Sequence, residues 1–183
     1  MATGLVGHFV AMARNNAWAN HRLLSACEAL TPNEFAAPRT SFFPSLGKTL
    51  NHILDVDLYY IDALEGLDAL RRYSEPDRDY ADAVSLRRVQ TASDKRLIIF
   101  CERQTDATLA RDCILPRPNR KPPPTPVAAV LEHLFQHQIH HRGQAHAMLA
   151  GTKVKPPQLD EFFLAGEQDL RRDELRALGL PET

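Results

Sequence analysis

Histidines are concentrated in one short stretch of the sequence. Residues 133–146 read HLFQHQIHHRGQAH and contain five of the eight histidines in the chain. Neutral imidazole is the commonest protein ligand for transition metals. Three interpretations are open at this point: a metal site, a solvated polar face, or a chance cluster.

The apolar residues around the cluster indicate which histidines face the core. Each residue of a helix advances by about 100°, so residues four apart share one face. With His133 at zero, His137 at about 40° and His141 at about 80° fall on the apolar side. His133 and His140 lie at its edge as rim or supporting groups, whereas His146, at about 220°, points away and is expected to be solvated. His137 and His141 can therefore aim both rings at one point inside the protein.

A metal site needs at least one further ligand, because two imidazoles rarely hold an ion. Outside the cluster the only histidines are His8, His21 and His52. His52 lies in LNHILDVD among apolar neighbours, where an unpaired buried imidazole would cost free energy. Alone, it could be a core histidine bonded to a carbonyl or carboxylate. Beside the pair of the cluster it is predicted to be the third ligand, while His8 and His21 are expected to be partly exposed.

The predicted ligand set is His52, His137 and His141, and its chemistry limits the metal and the reaction. Three neutral imidazoles suit a divalent transition metal. We expect zinc or nickel, with iron, cobalt and manganese as alternatives. At least one coordination position stays open, as in catalytic rather than structural zinc sites. The segment HQIHH has no glutamate after its first histidine, which disfavours a thermolysin-like protease.

Four long helical patterns position these residues. Apolar residues recur at helical spacing over about residues 5–30, 46–64, 82–105 and 126–151. Ser45 is predicted to cap the second helix, and Gly151 to end the fourth. The proline-rich segment 116–126, PRPNRKPPPTP, is predicted to be an extended loop of the kind that can border a site. With no strand alternation, the sequence predicts an all-α four-helix bundle with a short extra C-terminal helix.

Length and composition exclude some classes of function. The chain has 183 residues and a formal net charge of −1, which argues against binding to nucleic acid. No signal-like start or long apolar run is present, so we expect a cytoplasmic protein that does not associate with membranes. Cys27, Cys101 and Cys113 are odd in number and lack CxxC spacing, which indicates unpaired thiols. Residues 1–165 are predicted to form the bundle domain and residues 166–183 a C-terminal extension.

Three stretches of the sequence carry a resemblance to a known family. They are NNAWANHRLLSACEALTPNEF, SFFPSLGKTLNHILDVDLYYIDALEG and LEHLFQHQIHHRGQAHAML, followed by TKVKPPQLD. The most specific feature is the HHRGQ ending together with the histidine four residues earlier. In these segments the chain resembles the DinB/YfiT-like metal-binding four-helix proteins, over most of residues 8–163.

The resemblance implies a bundle with an unusual connection, often dimeric, in which three histidines hold a metal. By position these are His52, His137 and His141. Related members are transferases or isomerases that use a low-molecular-weight thiol. We therefore expect a metal-dependent thiol S-transferase that acts on a small-molecule substrate and forms a possible homodimer. The alternatives are hydrolysis by metal-activated water and a stress-related protein with a structural metal.

Aromatic residues could line the pocket for an electrophile. Trp18, Tyr59 and Tyr60 are candidates, together with the 116–126 loop. Ordinary packing in the core is the more frequent role of such residues.

The sequence also predicts the surroundings of three residues that lie close to the predicted ligands. Arg142, at about 180°, falls on the flank of the helix, where an ion pair or helix packing would explain it. Gly143 is expected to allow close approach of another helix. Gln138 lies near the apolar face without an obvious partner.

Overall fold

The computed structural model describes residues 4–75, 79–160 and 164–181. The helices in chain order are α1 Gly4–Cys27, α2 Pro32–Ala36, α3 Leu46–Leu64, α4 Ala69–Ser74, α5 Ala83–Glu102, α6 Asp106–Leu109, α7 Val127–Ala150 and α8 Gln168–Leu178. A 3-10 turn, Ala165–Glu167, precedes α8. The predicted all-α architecture is confirmed. None of the helices in the described ranges is both long enough and apolar enough to span a membrane.

A minor strand pair closes the proline-rich loop. Strand β1, Asp112–Cys113, pairs antiparallel with β2, Thr125–Pro126. The sequence analysis predicted no strand, because two-residue strands carry no alternation to detect. The backbone N–H of Val127 then donates to the Arg111 carbonyl at 2.9 Å. This bond joins the first residue of α7 to the residue that precedes β1.

Local capping chemistry sets the helix boundaries near the histidines. The Ser45 hydroxyl accepts a hydrogen bond from the Lys48 backbone N–H at 3.1 Å, so Ser45 caps α3 as predicted. Thr31 and Glu34 form a capping box that starts α2. A short helix therefore stands where a polar turn was expected, and α1 ends at Cys27, earlier than the periodicity predicts.

The four long helices pack in pairs around an apolar core. α1 packs mainly against α5, and α3 packs mainly against α7. Buried leucine, isoleucine and aromatic side chains fill the space between them, and each contributes about 1.5–3 kcal/mol to folding. All three cysteines are buried and unpaired, as expected. The α3–α7 pair carries the predicted metal ligands.

The C-terminal helix α8 packs on α1 beside the only tryptophan of the chain. Leu175 and Leu178 of α8 are buried against Trp18. The Trp18 indole N–H donates to Glu174 Oε2 at 2.6 Å, and Arg22 Nε donates to the same carboxylate at 2.7 Å. The domain boundary predicted after residue 165 stays a prediction, but the described part of the tail shares apolar contacts with the bundle.

The contact between α8 and α1 predicts the effect of two substitutions in one helix. Leu175 is 1% exposed and Leu170 is 63% exposed. Leu175→Ala should lower the free energy of unfolding by about 2–5 kcal/mol, because it leaves a cavity beside Trp18. Leu170→Ala should change it by less than about 0.5 kcal/mol. Urea unfolding of both variants measures the difference, and equal effects would mean that α8 is not docked in solution.

Candidate metal centre

Three histidine side chains converge between α3 and α7. His52 Nε2 and His137 Nε2 lie 3.0 Å apart. One ring nitrogen from each of His52, His137 and His141 lies within 4.8 Å of the other two. The structure thus brings together the three residues that the sequence analysis selected. Among the described residues, no cysteine or carboxylate joins this group. Such a group of imidazoles could bind a divalent metal.

The surroundings keep these imidazoles neutral. Burial, with the nearby His141 next in effect, lowers the pKa of His52 to about 4. Burial, with His141 and His52 next in effect, lowers the pKa of His137 to about 3. The pKa of His141 is also lowered, chiefly by burial. Because metal ligands must be deprotonated, this donor set fits a metal ion at neutral pH.

A hydrogen-bonded chain along α7 orients one of the three rings. His141 Nδ1 lies 2.9 Å from Gln144 Oε1, and Gln144 Nε2 lies 3.0 Å from His140 Nε2. Since the amide oxygen only accepts, His141 donates its Nδ1–H, which leaves Nε2 as the lone-pair nitrogen. His140 therefore supports the site through Gln144, as a rim residue. His137 Nδ1, by contrast, is buried and has no partner among the described residues.

Two phenylalanines cover one side of the histidine group. The Phe43 ring lies 4.4 Å from the His52 ring and 5.5 Å from the His141 ring, centroid to centroid. Phe42 packs edge-on against Phe43 and is 77% exposed. Sequence reasoning assigned these residues only to a loop. The signal that could have found them is their position just before Ser45, the cap of the helix that carries His52.

A cavity of about 500 Å³ opens beside the histidine group. Its wall includes His52 and His137 together with side chains from α3, α4, α7 and the 116–126 loop: Asp55, Val56, Tyr59, Tyr60, Arg72, Tyr73, Arg117 and His133. His133 stacks on Tyr60 with the ring planes 9° apart. Of the three candidate aromatics, Tyr59 and Tyr60 line this cavity, whereas Trp18 lies beneath α8.

A buried hydrogen-bond network lies next to the histidines along both helices. Gln138 Nε2 donates to Asp57 Oδ1 at 2.7 Å. Gln90 Nε2 donates to Asp57 Oδ2 at 2.8 Å and to Asp94 Oδ1 at 3.0 Å. Gln138, which had no obvious partner in the sequence, therefore joins α7 to α3, and Gln90 joins α3 to α5.

Arg142 connects the same network to α1. Its guanidinium donates to Asn16 Oδ1 and, at 2.9 Å, to Asn20 Oδ1. The two asparagine amides donate in turn to Asp94 Oδ1, at 3.1 and 3.0 Å. Helix packing explains Arg142, as expected, since these bonds join α7 to α1. The side chain is buried, because α1 covers this flank of α7.

The network contains two carboxylates and one guanidinium, so their charges do not balance. Burial, helped by the charge of Asp94, raises the pKa of Asp57 to about 8. Burial raises the pKa of Asp94 to about 6 and lowers that of Arg142 to about 10. At neutral pH, Asp94 and Arg142 thus carry opposite charges while Asp57 keeps its proton. Gln138 Oε1 is buried and has no partner in the described part of the chain, and it can accept a hydrogen bond from the protonated carboxyl group if the amide is turned over.

Two expectations for α7 were wrong. Gly143 is exposed, and a Cβ added there would meet nothing within 4 Å in the described structure, so no helix approaches it closely. His146 is half-buried rather than solvated, and its Nε2 lies 2.8 Å from the Pro157 carbonyl oxygen. The segment that follows α7 folds back over this face, which helical periodicity cannot predict. His8 is exposed and His21 half-buried, as expected.

The raised pKa of Asp57 predicts how stability depends on pH. The unfolded carboxyl titrates near pH 4, so between about pH 4 and 8 the folded state binds more protons and stability falls as pH rises. Asp57→Asn removes this titration, and it keeps both hydrogen bonds when the Gln138 amide is turned over to accept from the new amide N–H. We expect the variant to gain about 1–3 kcal/mol relative to the parent chain between pH 6 and 8.5.

Urea unfolding at both pH values measures this difference. Glu132→Gln, an exposed change of the same charge on α7, is the control and should follow the parent chain. Identical pH slopes for Asp57→Asn and the parent would show that Asp57 is ionised in the folded protein.

Comparison with known proteins places this arrangement in a family. The model described as "DinB family" matches residues 1–173. Protein DinB from Bacillus subtilis (strain 168) is 26% identical over 140 residues, which cover 73% of this chain and 80% of that protein. The crystal structure of a DinB-like protein from Bacillus cereus ATCC 10987 superposes with a TM-score of 0.59 at 16% identity, covering 77% of this chain and 90% of the other. The crystal structure of the DinB-like protein YjoA from Bacillus subtilis superposes with a TM-score of 0.57 at 16% identity, covering 85% of this chain and 96% of the other. Together with the all-α fold, the match over nearly the whole chain shows that the protein belongs to the DinB family.

Proposed function

We propose that the protein is a metal-dependent enzyme of the thiol S-transferase type. The observation that carries the proposal is the convergence of three neutral imidazoles, two of which, His52 and His137, line a cavity of about 500 Å³. Such a volume is within the range of small-molecule sites. A metal with a purely structural role would need no cavity beside it. The presence of the cavity therefore favours catalysis over a purely stabilising role.

The ligands of the proposed metal are His52, His137 and His141, and the donor set suits zinc or nickel. When bound, a divalent metal lowers the pKa of a thiol or water molecule in a remaining coordination position. The chain's own contribution is to hold three neutral rings together and to keep the Phe43 side of the group covered. The cavity side is left for the reactants.

The cysteines of the chain are not suited to be the nucleophile. Burial raises the pKa of both Cys27 and Cys101 to about 12, and it also raises the pKa of Cys113. A thiol reacts as its thiolate, so none of these residues is activated for attack. This supports a small thiol as co-substrate. Its sulfur loses a proton and forms a bond to an electrophilic carbon, whose leaving group departs with the bonding electron pair.

A reducing cytoplasm is the compartment in which we propose that the protein works. Low-molecular-weight thiols are kept reduced there. The unpaired state of all three cysteines supports this location.

Metal content and thiol response test the proposed function. Elemental analysis of the purified protein should give about one metal ion per chain. The ion should be lost in His52→Ala and His137→Ala, and retained in His8→Ala, which removes an exposed histidine of α1. In the cobalt-substituted protein, addition of a thiol should change the visible absorption spectrum.

Each other outcome selects a different function. Metal that is bound without any spectral response to thiols would favour hydrolysis or a structural role. A parent chain that binds no metal would contradict the site itself, and the histidines would then be a polar stripe.

The link between Gln144 and His141 predicts a quantitative effect on metal affinity. Gln144→Leu removes the acceptor that fixes the His141 tautomer, and it should weaken metal binding about 10–100-fold. Gln136→Leu makes the same change at an exposed position of α7 and should leave the affinity unaltered. Competition with a chromophoric chelator measures both values. Equal affinities would show that Gln144 does not orient the ring.

A further inference from the structure

Arg117 of the proline-rich loop is held against two aromatic rings in the wall of the cavity. Its guanidinium carbon lies 4.7 Å from the Tyr59 ring centroid and 4.6 Å from that of Tyr73. The same loop is fixed one residue earlier, where the Tyr59 hydroxyl donates to the Pro116 carbonyl at 2.8 Å. The position of this guanidinium is therefore defined by α3 and α4 rather than by the loop alone.

Arg117 has no acidic partner, which separates it from the other arginine of the cavity. Arg72 Nε lies 3.2 Å from Asp62 Oδ2. Within residues 4–75, 79–160 and 164–181, by contrast, no carboxylate forms an ion pair with Arg117. Asp55 lines the same cavity, but it forms no ion pair with Arg117. A guanidinium carries five N–H donors in a planar fork, which matches a carboxylate or a phosphate.

We infer that Arg117 binds an anionic group of the small thiol, a carboxylate or a phosphate, while the sulfur lies at the histidine group. This inference rests on the proposed function. His52, His137 and Arg117 line one continuous cavity, so a single molecule can reach both ends. The two tyrosine rings hold the guanidinium in place, which reduces the entropy lost when the anion binds. Arg117 is in this sense a specificity residue that selects anionic thiols over neutral ones.

A purely structural role for Arg117 makes a different prediction. If the side chain only anchors the loop to Tyr59 and Tyr73, its removal should lower the melting temperature without regard to the charge of the ligand. An anion-binding role should instead discriminate between charged and neutral forms of the same thiol.

Binding to the zinc-loaded full chain tests the inference by isothermal titration calorimetry. Two pairs of probes differ in their anionic groups: glutathione with its dimethyl ester, in which both carboxylates are masked, and 4′-phosphopantetheine with pantetheine, which lacks the phosphate. Arg117→Met should weaken binding of the anionic member about tenfold or more, and leave the affinity of the member without an anionic group unchanged. Arg120→Met, an exposed change of the same kind in the same loop, is the control. Arg117→Lys keeps the charge and should retain part of the affinity, which a collapsed loop would not.

The results separate failure of this inference from failure of the proposed function. Charge-dependent loss with the glutathione pair identifies a carboxylate, and with the pantetheine pair a phosphate. If Arg117→Met binds every probe as Arg120→Met does, the inference is overturned while thiol binding stands. If the parent chain binds none of the four probes, the proposed function fails and this inference fails with it.

Discussion

The structure depends on one buried polar network that joins all four long helices. Asp57 comes from α3, Asp94 from α5, Arg142 from α7, and the two asparagines that link Arg142 to Asp94 from α1. Leaving one buried charge unpaired costs several kcal/mol, so each donor must find its acceptor. Apolar side chains tolerate small shifts between helices, but a set of directed hydrogen bonds does not. We therefore attribute the register of the bundle to this network, and most of its stability to the apolar core around it.

The relative positions of the three histidines depend on that register. On α3, Asp57 follows His52 by little more than one helical turn, and on α7 Gln138 follows His137 directly. The bond between Gln138 and Asp57 thus fixes the two helices close to the point where the histidine rings meet. The network contains one more carboxylate than guanidinium groups. The raised pKa of Asp57 removes this excess negative charge by protonation, so no counterion is needed beside the histidines. Helix α7 supplies residues to both the histidine group and the network, so the positions of the two are linked.

The fold and the central residues of the site could be predicted from the sequence because they follow from local rules. Helical spacing selected His137 and His141, and the position of His52 in an apolar helix added the third. The network was missed because the exposure of Arg142 and Gln138 depends on which helices cover the flanks of α7. No single-helix pattern contains that information. Arg117 and Phe43 were missed for a related reason, since both lie on loops whose paths are set by tertiary contacts.

The single tryptophan has a practical consequence for work in solution. Trp18 is fully buried under α8 and does not line the cavity, whereas three tyrosines do. Indole emission therefore monitors the attachment of the C-terminal helix, and tyrosine absorbance monitors the neighbourhood of the histidines. The molecule carries two natural optical probes with separate locations. Events at the tail and events near the histidine group can be followed in the same unlabelled sample.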